Sequence, residues 1–163
     1  MKMLNKEKFR KIKVLLTDVD GIMTDGGIYY LDNGLRARKF SMYDGVFYML
    51  QKKGIKCGFC SGERDKCIIE RGKKLKVDFL LLGCKDKMAE VSKFLEKRGL
   101  SFENLAYIGD DINDIDLMKK AGLAFSVANA MPVAKKKANY VTKKRGGEGA
   151  VREIIELFLK YLK

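Results

Sequence analysis

The sequence predicts a doubly wound α/β fold whose sheet is mainly parallel. Short, almost continuous apolar runs alternate with helical patterns nearly to the end of the chain. Runs of this length and composition are typical of strands that are buried on both faces. Because parallel strands need a crossover between them, we expect the helical intervals to be those crossovers. The predicted strands, in chain order, are "KIKVLLTD", "IKCGFCSG", "VDFLLLG", "LAYIGD", "LAFSVAN" and "NYVT".

The intervals between these strands have helical patterns, with one exception. The predicted helices are "GVFYMLQKKG", "RDKCIIERGKKL", "DKMAEVSKFLEKRG", "INDIDLMKKAG", "PVAKKKA" and "EGAVREIIELFLKYL". The exception is a segment at about residues 27–41, whose two β-like runs are joined through "DNG", a hairpin turn signal. This β-hairpin directly follows the first strand, so we expect it at the carboxyl edge of the sheet, where open α/β sheets bind ligands.

Length and composition predict that residues 1–163 form a single domain, with a C-terminal tail at about 143–163. The 163 residues are 47% hydrophobic and 34% charged, which is typical of a globular chain, and no low-complexity linker or repeat divides them. The first residues lack the apolar run of a signal peptide, so we expect a cytoplasmic protein with no membrane partner. The net charge is +13, but basic and acidic residues alternate through much of the chain, which argues against a nucleic-acid partner.

The chain contains no histidine and four cysteines, and both facts restrict the chemistry. Without histidine, Ser-His-Asp and Cys-His nucleophile systems are excluded, and a general acid or base must be a carboxylate, Lys, Tyr or Cys. Cys57 and Cys60 in "CGFC" have a spacing that suggests zinc. Residues three apart on a strand point to opposite faces, however, so we expect buried, reduced thiols.

Polar motifs follow successive predicted strands. Each alone could be a turn or a helix cap, but all four occur in order, and we expect the carboxyl ends of parallel strands to bring them to one edge. They are "DVD" with Asp18 and Asp20, "CSG" with Ser61, "KDK" with Lys87, and "GDDIND" with Asp110, Asp111 and Asp114. Two carboxylates as close as Asp18 and Asp20 raise each other's pKa unless a cation or hydrogen bonds compensate. The pattern therefore indicates a functional site.

Together these motifs resemble the haloacid dehalogenase superfamily, whose core is a Rossmann-like α/β fold. The resemblance implies that Asp18 attacks a phosphoryl group to form an aspartyl-phosphate, and that Mg²⁺ bridges the two anions. It implies as metal ligands the Asp18 carboxylate, the Asp20 carbonyl and Asp110, with Asp111 or Asp114 close by or acting through water.

The same resemblance assigns the remaining motif residues. Asp20 would protonate the leaving alkoxide and then activate water, Ser61 would hold phosphoryl oxygens, and Lys87 would neutralise their charge. Dehalogenases lack this second aspartate, whereas phosphatases and phosphomutases have it, so Asp20 argues against a dehalogenase. The intervals between the motifs leave no room for a separate cap domain, so we expect an open site that either acts on a macromolecule or is closed by a neighbouring subunit. An open site that admits water to the aspartyl-phosphate favours a phosphatase over a phosphomutase.

A closer resemblance is to the 3-deoxy-D-manno-octulosonate 8-phosphate phosphatase family. It is carried by "LTDVDGIMTDGGIYYLDNG", "KFSMYDG", "KDKM", "LAYIGDDINDIDLMKKAGLAFSVANA" and "YVTKKRGGEGAVREIIELFL". It implies Mg²⁺-dependent hydrolysis of that sugar-acid phosphate to 3-deoxy-D-manno-octulosonate (KDO) and phosphate, in KDO and lipopolysaccharide biosynthesis. It also implies a homotetramer whose hairpins meet as a barrel. Its tail region would help to shape the site, so we expect removal of the residues after Thr142 to affect activity more than the core.

One motif departs from this family and leaves the substrate's chain length open. Family members typically have Ser/Thr-Gly-Arg where this chain has "SGE" with Glu63. Phosphatases for the nine-carbon 2-keto-3-deoxy-nononate 9-phosphate are more similar there, and pair such a glutamate with an arginine and a lysine on the following helix. The nine-carbon substrate is therefore the main alternative, followed by another small-molecule phosphatase. The candidate substrate-binding residues are Asp44, Gly45, Gly62, Glu63, Arg71, Lys74, Gly146 and Gly147.

Overall fold

A computed structural model describes residues 4–163, and it confirms the predicted doubly wound α/β fold. Its strands are β1 (Val14–Thr17), β2 (Tyr29–Tyr30), β3 (Arg36–Ala37), β4 (Lys56–Ser61), β5 (Phe79–Leu82), β6 (Leu105–Ile108), β7 (Leu123–Ser126) and β8 (Tyr140–Val141). Six of them form one sheet in the order β5-β4-β1-β6-β7-β8, and every pairing in it is parallel. After β1 the chain adds strands first on one side and then on the other, so the topological switch point lies between β1 and β6.

Helices cover both faces of the sheet. They are α1 (Lys6–Lys11), α2 (Tyr48–Gln51), α3 (Lys66–Leu75), α4 (Lys87–Glu96), α5 (Ile115–Lys120), α6 (Pro132–Lys135) and α7 (Ala150–Tyr161). Alternate strand residues face the two layers: Leu15 packs in one buried cluster and Leu16 in the other. Cys57 and Cys60 likewise lie in different clusters, which confirms their predicted opposite orientation. Within residues 4–163, none of these helices combines the length and apolarity needed to cross a bilayer.

The predicted hairpin is present, and between β1 and β4 it is accompanied only by the short helix α2. Tyr29 pairs with Ala37 and Tyr30 with Arg36, in antiparallel register. Gly34 in the turn has a φ of +77°, a conformation that favours glycine. The hairpin projects from the carboxyl edge of the sheet, and no cap domain is inserted in this interval.

The C-terminal segment differs from the expected tail, because its helix is part of the core. In α7, the side chains of Ile154, Ile155 and Phe158 are fully buried. The Phe158 ring meets the Phe9 ring edge-on, with 4.8 Å between their centroids. Helix α7 covers the sheet face that α1 and α2 also cover, so removal of the residues after Thr142 would expose the core as well as change the site.

Asp44 holds the beginning of α7. The residue preceding this helix, Gly149, has no capping side chain, and Asp44 Oδ1 instead accepts a hydrogen bond from the Arg152 N–H at 3.0 Å. Burial raises the pKa of Asp44, whereas the N–H groups at the start of α7 oppose that rise. The contacts of Asp44 are those of a helix-capping group, which satisfies N–H donors that the helix itself cannot pair. Substrate binding by Asp44 stays a prediction.

We expect Asp44→Ala to lower the free energy of unfolding by about 0.5–2 kcal/mol, the usual cost of losing a cap. Urea denaturation of the metal-free protein measures this change. Glu148→Ala is the matched control, because Glu148 is an exposed acidic residue in the loop that directly precedes α7. Equal midpoints for the two variants would contradict the capping role.

Candidate active site

Three carboxylates converge at the switch point of the sheet. Asp18 directly follows β1, and Asp110 comes two residues after β6, the neighbouring strand. The Asp18 N–H donates to the Ile108 carbonyl at 2.9 Å, which fixes the two loops side by side. Carboxylate oxygens of Asp18, Asp110 and Asp114 lie within 4.8 Å of one another, as the motif order predicted. Asp111 is exposed and lies outside this cluster.

Lys87 joins two of these carboxylates. It is the first residue of α4, and its ammonium lies 2.7 Å from Asp18 Oδ2 and 2.8 Å from Asp114 Oδ1. The Lys87 side chain is only 2% exposed, so both contacts are shielded from water. The structure thus brings the first, third and fourth motifs together in one buried ion-pair network.

Each oxygen of the Asp114 carboxylate accepts two hydrogen bonds from surrounding groups. Besides Lys87, Oδ1 accepts from the Tyr107 hydroxyl at 2.7 Å. Oδ2 accepts from the backbone N–H groups of Asp110 at 2.9 Å and Asp111 at 3.3 Å. Asp114 therefore orients both Lys87 and the loop that carries Asp110. Tyr107 was not predicted as a site residue, because a tyrosine inside a strand is indistinguishable from core in the sequence.

The charges in this cluster are unbalanced. Burial raises the pKa of Asp18, and Lys87 opposes that rise. Burial and the nearby Asp114 charge raise the pKa of Asp110 to about 7. Although burial favours the neutral amine, Asp18 and Asp114 raise the pKa of Lys87. Three carboxylates face one ammonium, so a divalent cation would neutralise the excess, and their hard oxygen donors suit Mg²⁺.

Asp20 lies beside the cluster, and an arginine from the hairpin holds it. Arg38 Nε donates to Asp20 Oδ1 at 2.6 Å, and Arg38 Nη2 approaches Oδ2 at 3.3 Å. The Asp20 side chain is 30% exposed, so one side of the carboxylate faces solvent. Sequence reasoning missed Arg38, although "LRARKF" places two arginines on one side of a strand beside the predicted catalytic edge.

The second motif lies at the end of β4. Ser61 is buried, and its hydroxyl accepts from the Glu63 N–H at 3.1 Å across Gly62. The Glu63 side chain is 45% exposed and pairs with Arg36 of the hairpin at 3.0 Å. The glutamate's arginine partner therefore comes from β3, whereas the sequence suggested the helix after the motif.

Arg71 and Lys74 in α3 do not pair with Glu63. Arg71 Nη2 donates to the Ser41 carbonyl at 2.6 Å, and the guanidinium lies 5.5 Å from the Phe40 ring centroid. Lys74 is exposed on the same helix. Gly45 forms a turn in which its N–H donates to the Met42 carbonyl at 3.3 Å. The contacts of Arg71 and Gly45 link the segment after the hairpin to its surroundings, and substrate binding by Arg71, Lys74 and Gly45 stays a prediction.

The glycines of "RGGEGA" allow the close backbone approach that the sequence suggested. A Cβ on Gly146 would lie 1.8 Å from the Gly21 carbonyl oxygen. The Gly147 N–H donates to the Ile22 carbonyl at 3.0 Å. A Cβ on Gly21, in turn, would lie 2.0 Å from Asp110 Oδ2. The C-terminal loop therefore packs backbone against backbone on Gly21, and Gly21 in turn packs against the Asp110 carboxylate, with no room for a side chain at either glycine.

The α/β core, with Asp18, Lys87 and Asp110 at its switch point, defines a hydrolase of the haloacid dehalogenase type. A family model for haloacid dehalogenase-like hydrolases matches residues 83–155. The chain is 38% identical over 160 residues to 3-deoxy-D-manno-octulosonate 8-phosphate phosphatase of Escherichia coli K12, covering 93% of this chain and 81% of that protein. The Yersinia pestis enzyme is 36% identical over 154 residues, with 94% and 82% covered. The chain belongs to the 3-deoxy-D-manno-octulosonate 8-phosphate phosphatase family.

Solved structures agree with this assignment. The phosphatase of that name from Moraxella catarrhalis, in complex with magnesium, phosphate and KDO, superimposes with a TM-score of 0.92 at 34% identity, covering 96% of this chain and 90% of that one. The cobalt-bound phosphatase from Haemophilus influenzae gives 0.89 at 32% identity, with 95% and 91% covered. Both of these structures contain a divalent cation.

We expect Mg²⁺ to bind about tenfold more weakly at pH 6 than at pH 8, because protons compete for carboxylate ligands. The sign follows from Asp110: its pKa is raised to about 7, so it is mostly protonated at pH 6 and ionised at pH 8. Calorimetric titration of metal-free protein measures this affinity. Asp110→Asn should lose binding, whereas Asp111→Asn should retain it. The same loss in both variants, or no pH dependence, would refute this metal site.

Proposed function

We propose that this protein is a Mg²⁺-dependent phosphatase that hydrolyses 3-deoxy-D-manno-octulosonate 8-phosphate to KDO and phosphate. The observation that carries the proposal is the buried cluster in which Lys87 lies between Asp18 and Asp114, with Asp110 alongside. Membership of this family supports the assignment of the substrate, and KDO is the sugar acid bound in the Moraxella catarrhalis structure. We propose that the enzyme acts in KDO and lipopolysaccharide biosynthesis; its cytoplasmic location stays a prediction.

A magnesium ion would be held by Asp18 and Asp110, with the Asp20 carbonyl as the further ligand that the family resemblance implies and Asp114 as the adjacent orienting group. When bound, Mg²⁺ shields the phosphate dianion from the charge of the attacking carboxylate. Asp114 keeps Lys87 and the Asp110 loop in place through its four hydrogen-bonding contacts. Asp111, which is exposed, has no direct ligand role in this proposal.

The reaction has two displacement steps on phosphorus. In the first, a carboxylate oxygen of Asp18 attacks phosphorus, the ester P–O bond breaks, and Asp20 gives its proton to the leaving sugar oxygen. In the second, Asp20 takes a proton from water, the resulting hydroxide attacks phosphorus, and the bond to Asp18 breaks. Phosphate leaves, and both carboxyl groups return to their starting states.

Ser61 and Lys87 stabilise the phosphoryl group during both steps. Ser61 ends β4 at the sheet edge, where its hydroxyl would donate to a phosphoryl oxygen while it accepts from the Glu63 N–H. Lys87 lies 2.7 Å from the nucleophile and offers its positive charge where negative charge develops. Because Asp114 already fixes the Lys87 ammonium, this charge needs no reorganisation during the reaction.

The nine-carbon alternative rests on Glu63. Its side chain pairs with Arg36 and is partly exposed beside the second motif, where family members for the eight-carbon substrate typically have arginine. A glutamate here would repel a substrate carboxylate unless the paired Arg36 offsets its charge. Overall identity to eight-carbon phosphatases supports the main proposal, and comparison of the two substrates decides between them.

We propose a homotetramer assembled through the hairpins. Tyr29, Tyr30, Leu31 and Leu35 of the hairpin are 60%, 75%, 48% and 62% exposed, respectively. A cluster of large exposed apolar side chains on a two-stranded ribbon indicates an interaction surface. Second copies of this chain are the occupants proposed here, because the family resemblance implies hairpins that meet as a barrel.

The activity test measures phosphate release from the eight- and nine-carbon ulosonate phosphates, with Mg²⁺ or with EDTA. We expect release that requires Mg²⁺, that favours the eight-carbon substrate, and that disappears in Asp18→Asn, because an amide is a poor nucleophile. Asp116→Asn is the matched control, since Asp116 is an exposed residue of α5. Full turnover by Asp18→Asn would exclude the covalent route, and preference for the nine-carbon substrate would establish the alternative.

The assembly test uses light scattering at assay concentrations. We expect the wild type to be a tetramer and Tyr30→Glu with Leu35→Glu to dissociate it, because two charges would be placed on the apolar hairpin surface. Val133→Glu is the control, since Val133 is an exposed apolar residue that belongs to α6 and not to the hairpin. A fully active wild-type monomer would contradict the proposed assembly.

A further inference from the structure

We propose that Arg38, carried by the hairpin, is a positioning residue that holds the Asp20 carboxylate for its two proton transfers. This inference rests on the proposed function, because it assigns a partner to the acid/base group of that reaction. Arg38 touches neither Asp18 nor Lys87 through any hydrogen bond among the described residues. Its contacts near the catalytic edge are with the Asp20 carboxylate, and not with the nucleophile or with Lys87.

Arg38 is buried and links the carboxylates of Asp20 and Asp65. Its side chain is 0% exposed, and its Nε and Nη2 reach the two oxygens of Asp20 at 2.6 and 3.3 Å. Its Nη1 pairs with Asp65 Oδ2 and also lies 3.4 Å from Cys67 Sγ. A planar guanidinium that contacts both oxygens of a carboxylate fixes its orientation as well as its position.

Asp65 anchors this bridge from the other side. A buried arginine is costly unless its charge is compensated, and here two carboxylates compensate it. Asp65 Oδ1 also pairs with Arg36, which in turn pairs with Glu63. The network therefore runs from the second motif through Asp65 and Arg38 to Asp20, and it keeps the guanidinium in place when Asp20 changes its protonation state.

The consequence concerns the Asp20 side chain, which is 30% exposed. Without Arg38, its carboxyl group would be free to rotate toward solvent and away from the sugar oxygen and the attacking water. General acid–base catalysis requires the group to stay within hydrogen-bond reach of the proton it transfers. Loss of Arg38 should therefore slow the steps that use Asp20 and leave substrate and Mg²⁺ binding nearly intact.

The test compares Arg38→Met, Arg38→Lys and the control Lys39→Met, which removes an exposed cation one residue along the hairpin. On the eight-carbon phosphate, we expect Arg38→Met to lower kcat by about tenfold to hundredfold, with KM changed by less than about threefold. Arg38→Lys should recover part of the rate, because it restores the charge but not the two-pronged contact. Lys39→Met should keep the wild-type kcat.

A second readout separates positioning from a general structural effect. 4-Nitrophenyl phosphate has a leaving group that needs no acid, so the aspartyl-phosphate should form quickly in Arg38→Met and then hydrolyse slowly. We expect a burst of nitrophenolate close to one per active site. Combining Arg38→Met with Asp20→Asn should cost little beyond Asp20→Asn alone, since both changes act on the same group.

Several results would overturn the proposal. One is a wild-type kcat in Arg38→Met. Another is a loss of kcat in the Arg38→Met, Asp20→Asn double variant that equals the product of the losses in the two single variants. A third is a loss of Mg²⁺ affinity in Arg38→Lys, measured by calorimetry. If Arg38→Met does not fold, Arg38→Lys carries the same kinetic and burst measurements, and wild-type kinetics there overturn the proposal. If the wild type hydrolyses 4-nitrophenyl phosphate but neither ulosonate phosphate, the substrate assignment fails, while the burst and the double variant still decide the role of Arg38.

Discussion

The ammonium of Lys87, buried between Asp18 and Asp114, is the interaction on which the site depends. It allows like charges from two neighbouring strands to stay at one sheet edge, which would otherwise be unfavourable in a desolvated environment. It compensates only part of their charge, however. The remaining negative charge explains why this fold suits a divalent cation, and why Asp114, with every oxygen engaged, acts as a support for Lys87 and the Asp110 loop.

Two segments outside the sheet complete this edge, and each is tied to it by a different kind of contact. The C-terminal loop approaches backbone to backbone, with Gly146 against Gly21, and Gly21 lies against the Asp110 carboxylate, so the position of the loop depends on the absence of side chains at the two glycines. The hairpin approaches through charge, with Arg38 on Asp20 and Arg36 on Glu63. Since the hairpin also carries exposed tyrosine and leucine side chains, the proposed assembly surface and the Asp20 partner belong to one short segment.

Much of the fold and part of the site could be predicted from the sequence because each depends on local patterns. Apolar runs of strand length with helical intervals fixed the sheet, and motif order placed Asp18, Ser61, Lys87 and Asp110 at its carboxyl edge. The contacts of Asp44 and Glu63 could not be predicted in this way. Asp44 caps a helix that begins more than a hundred residues later, and Glu63 finds its arginine on the hairpin instead of the next helix. The final helix likewise looked like a tail but packs into the core.

The sequence by itself determined the class of fold, the order of the motifs and the kinds of group available for chemistry: carboxylates and a lysine, with no histidine. Those properties follow from periodicity and composition, which need no knowledge of distant contacts. Only the tertiary structure decided which charges meet. Of the three aspartates in "GDDIND", Asp110 and Asp114 lie in the cluster and Asp111 is exposed. The partner of Asp20 is Arg38. Charge pairing acts over a few ångströms between side chains that are far apart in the chain, so folding alone selects the partners.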